Sequence, residues 1–122
     1  SSKRMKGGNL PKNLYIKEGD FKFLATLSGK CSIKVISIEE IPQLSKEYII
    51  HNSIQSKSIA KFFRKKLSFQ LPKYEKIEPL SPEVSYLIID TRKETDVSKM
   101  LYLIIEYIGD SINEVEILPM KD

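Results

Sequence analysis

Apolar residues along this chain gather in short blocks separated by polar, proline-bearing or glycine-bearing breaks, the spacing expected of single strands and short helices. The clearest block, Val84-Ser-Tyr-Leu-Ile-Ile-Asp90, is apolar without in/out alternation, which predicts a strand covered on both faces in a parallel α/β sheet. After it, the charged turn 91–96 leads into the apolar segment Val97 to Ile108. A helix is predicted there, with Asp96 as N-cap and Gly109 as the closing residue.

The preceding residues repeat the rhythm. Glu47 to His51 is a strand candidate, and Asn52 to Ser56 is a polar break. Lys57 to Leu67 carries Ile59, Phe62, Phe63 and Leu67 at helical spacing. Ser68 to Leu71 reads as a second strand, Pro72 to Pro82 as a loop with three prolines, and Asn113 to Leu118 as a last strand. Earlier still, Phe21 to Leu27 and Cys31 to Val35 alternate about Ser28-Gly29-Lys30, the pattern of a β-hairpin. The expected fold is α/β, with a mainly parallel four-stranded sheet, flanking helices and an N-terminal β-containing extension. Residues 1–12 read as a flexible leader ahead of one domain, 13–122, made of an extension (13–45) and a core (46–122).

With 122 residues and 41% hydrophobic content the chain fits one compact core. Its longest apolar run in the last predicted helix, Met100 to Ile105, is far below the ~20 residues of a membrane span, so no membrane partner is expected. The single cysteine, Cys31, forms no internal disulfide and offers no Cys-based metal site, which suits a nuclear or cytoplasmic setting. The net charge of +4 is unevenly spread. Between Lys57 and Lys76, seven cations (Lys57, Lys61, Arg64, Lys65, Lys66, Lys73, Lys76) face Glu75 alone, whereas acids dominate from Asp90 onward. Such a basic stretch attracts phosphates, although amphipathic helices also carry lysines outward with no ligand.

Catalytic chemistry is not indicated. His51 is the only histidine, Glu39-Glu40 and Glu114/Glu116 have solvent-facing spacings, and the five glycines form no phosphate-binding loop. No cofactor, metal or small-molecule substrate is expected, and the chain is expected not to be an enzyme.

The block Val84 to Ile89, the polar loop after it and Asp96-Val-Ser-Lys-Met-Leu-Tyr-Leu-Ile-Ile105 resemble the third strand and second helix of a BRCT domain. The preceding extension is similar to that of helix-extended BRCT domains. This resemblance implies a sheet of order 2-1-3-4 and a nuclear or chromatin scaffold that binds phosphoserine or phosphothreonine peptides of partner proteins. The family's phosphate-binding Ser/Thr and lysine fall on Ser53 and Lys99, with Arg92, Lys93 and Ser98 beside them. The sequence departs from the family at Ile54, where a glycine is usual, and lacks a tryptophan. The alternatives are weak nucleic-acid binding through Lys57, Lys61, Arg64, Lys65 and Lys66, and a phosphate-independent scaffold that accepts a partner strand at the hairpin edge.

Overall fold

The computed structural model describes residues 11–19, 30–92 and 94–109. The strands are β1 (Lys12–Gly19), β2 (Lys30–Ile36), β3 (Tyr48–Asn52), β4 (Val84–Asp90) and β5 (Leu101–Gly109). Between β2 and β3 lie a 3-10 segment (Ile38–Gln43) and a single helical turn, α1 (Leu44–Glu47). The helix α2 (Lys57–Lys66) follows β3, and a 3-10 turn (Val97–Lys99) precedes β5.

All five strands form one sheet of order β2-β5-β4-β1-β3. β1 pairs in parallel with β3 on one side and β4 on the other, in the registers Tyr15↔His51 and Tyr15↔Tyr86. β4 and β5 pair antiparallel, Leu87 opposite Ile104, and β5 pairs antiparallel with β2, Ile33 opposite Ile105. The fold is therefore α/β with a mixed five-stranded sheet, in place of the expected mainly parallel four-stranded one.

The difference has a local cause. The predicted helix Val97 to Ile108 is a 3-10 turn followed by a strand, because Tyr102, Ile104, Ile105, Tyr107 and Ile108 are β-branched or aromatic, and Tyr102 and Ile104 pack in the core on one sheet face and Ile105 on the other. Asp96 does cap, its carboxylate accepting the Ser98 N–H, but it caps only that turn. An internal strand, β1, occupies the end of the expected leader and the start of the expected extension. Ser68 to Leu71 is no strand, since Ser68 turns left-handed after α2 (φ 51°). Residues 21–27, proposed as a hairpin arm, and 113–118, proposed as a last strand, lie outside the described residues, as do the leader residues 1–10 and Lys93. The described strand of that hairpin, β2, has β5 as its partner.

One sheet face carries the larger core, where Leu14, Ile16, Leu87, Ile89 and Tyr102 meet Ile41, Leu44, Ile59 and Phe63 from the covering segments. On the other face Tyr15, Tyr86, Ile88 and Ile105 are covered in part by Ile77 and Leu80. The connection from α2 to β4 wraps the β3 edge: Phe69 and Leu71 pack on the helix side, and Ile77 and Leu80 on the opposite side. At the bend, the Glu75 N–H donates to the Asn52 carbonyl and the Ser53 hydroxyl to the Glu75 carbonyl, at 2.7 and 2.6 Å.

Two positions test this packing. The left-handed turn at Ser68 lets the Phe69 N–H donate to the Phe63 carbonyl (2.9 Å) and sets the two rings edge to face. Left-handed backbone costs a non-glycine residue about 1–2 kcal/mol, so Ser68→Gly should stabilise by up to about 1 kcal/mol after the flexibility that glycine adds to the unfolded chain. The second position is Ser85, fully buried, whose hydroxyl has no hydrogen-bond partner among the described residues. Ser85→Ala should stabilise by about 1 kcal/mol by removing a desolvated, unpaired group. Urea denaturation measures both, and a loss of stability in either variant contradicts the corresponding account.

Candidate functional site

The carboxyl ends of β1, β3 and β4 share one edge of the sheet, where an open α/β sheet usually holds its ligand. Here the protein fills that place itself. Glu18, near the end of β1, accepts the Gln55 and Ser56 N–H groups with one oxygen at 3.0 and 2.9 Å, immediately before α2. The positive dipole end of α2 thus faces an internal carboxylate bound to the two N–H groups just ahead of the helix, while the Ser56 hydroxyl, as N-cap, accepts the Ile59 N–H.

The residues assigned to a phosphate by resemblance are not assembled into one. Ser53 is 1% exposed, and its hydroxyl hydrogen goes to the Glu75 carbonyl. Lys99 ends the three-residue 3-10 turn before β5, with its side chain exposed. Since β5 and β3 are separated by β4 and β1, Ser53 and Lys99 stand three strand spacings apart, about 14 Å. No helix starts at Val97 to offer a dipole. The Ser98 N–H and hydroxyl both donate to Asp96 Oδ1, at 3.0 and 2.7 Å. Arg92 folds back on nearly buried Asp90, its guanidinium 3.2 Å from Oδ2.

His51 serves the fold. Its ring stacks on Tyr15 with centroids 4.4 Å apart, Nδ1 lies 2.7 Å from Glu75 Oε2, and Nε2 lies 2.9 Å from Asn13 Oδ1. Together these contacts tie β3, β1 and the wrapping connection. Cys31 is half-buried beside the Tyr15 and Tyr86 cluster, and burial pushes its thiol up, away from the reactive thiolate. Among the described residues, no group of three His, Cys, Asp or Glu side chains is placed to hold a metal ion.

The basic residues behave differently. Lys57, Lys61, Arg64, Lys65 and Lys66 are all exposed on α2, and none forms an ion pair with a described residue. Ile59 and Phe63 bury the opposite side of the helix, so the amphipathic pattern sets the cations outward. Between α2 and the turn Thr95 to Val97 lies a groove of about 330 Å³, lined by Phe62 and Val97 with Ser58, Lys61, Lys65 and Asp96 around them. The sequence pattern hides this groove, because it joins α2 to a turn whose Asp96 cap has the signature of a helix start.

Separate core anchors fix its two walls. Phe63 secures the helix, while buried Tyr102 donates from its hydroxyl to the Val97 carbonyl at 2.9 Å and holds the turn. At the rim, Asp96 keeps its charge easily, since the hydrogen bonds from Ser98 hold its carboxyl below the usual range. Elsewhere, a cleft of about 410 Å³ beside β2 and β5 is lined by Glu39, Glu40, Glu47 and Glu106. Its Glu106 accepts from the Tyr48 hydroxyl at 2.7 Å, and Glu40 accepts from the Ser37 N–H at 3.0 Å.

Compared with protein-family models and with curated proteins, the chain matches none.

Tyr102 gives the groove a stability test with a pH signature. Removing its hydroxyl leaves the Val97 carbonyl with the longer hydrogen bond from the Met100 N–H (3.3 Å) alone, so Tyr102→Phe should cost about 1 kcal/mol in urea denaturation. Burial pushes the phenol up to about 12 from the ordinary 10.0. The folded state thus keeps a proton that the unfolded chain loses, so the contribution is complete below about pH 10 and declines as pH rises toward 12. Stability should fall less steeply across that window in Tyr102→Phe than in the parent chain, and equal slopes would refute this role.

Proposed function

We propose that this chain is a non-catalytic nucleic-acid-binding module that holds backbone phosphates on the exposed face of α2. One observation carries the reading: five cations on a ten-residue helix, all exposed and none ion-paired with a described residue. Nucleic-acid phosphates supply the matching charge, and contacts of this kind release counterions without reading sequence. Of the nearby acids, Glu18 is taken up by the backbone before α2 and Asp90 by Arg92, which leaves Asp96 as the one described carboxylate lining the groove beside Lys61 and Lys65. The phosphopeptide reading that accompanies the BRCT resemblance retains the exposed Lys99 but not the hydroxyl of Ser53, which is already spent.

Binding is measured by fluorescence anisotropy of a labelled mixed-sequence oligonucleotide across a salt series starting near 50 mM. Replacing Lys61, Arg64 and Lys65 together with alanine should weaken binding to every sequence. The log–log salt slope should also become shallower by about 2–3, close to one unit per phosphate contact. An absence of binding at low salt, or a slope the triple variant leaves unchanged, would overturn the proposal. Binding instead to a phosphorylated peptide but not its unphosphorylated twin, lost in Lys99→Ala and kept in the triple variant, would favour the phosphopeptide reading.

A further inference from the structure

Resting on that nucleic-acid reading, we infer that the groove between α2 and the Thr95 to Val97 turn receives an unpaired nucleobase, so that the module selects single strands over duplex. Lysines line the groove's rim, but its apolar part is a poor place for a phosphate. Its floor is Phe62 and buried Val97, neither of which can solvate an anion, and the Asp96 carboxylate at its edge repels one. A base fits these same groups. Its flat apolar face meets the Phe62 ring, and an exocyclic amino group can donate to Asp96, the pairing by which acidic side chains accept from cytosine N4.

The surrounding charge orients the strand. Lys61 and Lys65 line the groove one helical turn apart and are exposed, so they can hold phosphates on either side of an inserted base. A volume of about 330 Å³ lies at the small end of ligand pockets and is ample for a base. The site is also held ready, since Phe63 and Tyr102 fix its walls from the core with their rings 6.4 Å apart. In a duplex the bases are stacked inside and must be extruded at a cost before one can enter. A binder relying on charge alone would show the opposite preference, because duplex DNA has the higher charge density and the steeper counterion release.

The test uses the whole chain and three labelled probes with equal numbers of phosphates per strand: a mixed-sequence single strand, the same strand in a duplex, and an abasic strand with the bases removed. Single-strand affinity should exceed that for both duplex and abasic probes by about tenfold or more, the range expected for a stacked base. Phe62→Leu and, independently, Val97→Thr should shrink this preference while leaving the salt slope in place. The comparison of intact with abasic strands in the parent chain needs no variant, so it stands if either substitution disturbs folding. Equal affinity for all three probes, or tighter binding of duplex, would overturn the base-binding groove while leaving the nucleic-acid reading intact. Failure of every probe to bind at low salt would overturn both.

Discussion

The parallel pairing of β1 on both its edges is the constraint on which the described architecture rests. Leu14, Tyr15 and Ile16 are buried in sequence, so both faces of this strand need cover. Parallel neighbours require the chain to return to the same end of the sheet before each new strand. Between β3 and β4 that return places α2 on one face and the Ile77 to Leu80 stretch on the other, and β1 lies enclosed between them. The polar residues of β1 secure the same enclosure. Asn13 meets His51 and the Glu83 carbonyl, and Glu18 meets the backbone ahead of α2.

This arrangement explains why the carboxyl end of the sheet is not an open anion site despite its favourable topology. A carboxylate delivered by β1 is tethered, so it satisfies the helix start without the entropy loss of capturing a free ligand. Asp90 with Arg92 does the same at the end of β4. Internal compensation at the strand ends leaves the outward face of α2 as a cluster of five cations with no described ion-pair partner, and the functional interest moves there from the strand ends.

What the sequence made legible follows from where one force acted alone. The buried run of β4 was readable because only a covered strand tolerates Val-Ser-Tyr-Leu-Ile-Ile, and α2 was readable because Ile59 and Phe63 recur at helical spacing. β1 is obscured because only three of its eight residues are buried, between polar ends, and Pro11 beside it looks like a breaker. β5 was misread because a dense apolar block after a capping aspartate fits a buried helix as well as a strand. Only the β-branched and aromatic content of Tyr102 to Ile108 favoured the strand. The basic face was visible in composition, whereas the groove required β5 to be a strand, since Tyr102 reaches Val97 from there.

Helix stability accounts for only part of that basic face. Arg64, Lys65 and Lys66 occupy the last turn of α2, where cations complement the negative end of the dipole. Lys57 and Lys61 have no such reason. Lys57 stands in the first turn, where a cation is disfavoured, and Lys61 is one turn from both Lys57 and Lys65, like charges that each cost a few tenths of a kcal/mol. Glu18 offsets the dipole at the backbone but forms no ion pair with Lys57. The burial of Ile59 and Phe63 stabilises the helix by several times this repulsion, so the fold tolerates these two lysines without needing them. A pair of cations that weakens its own helix, one of them at the mouth of an apolar groove, answers no demand of the fold, and that is what the proposed anionic strand would explain.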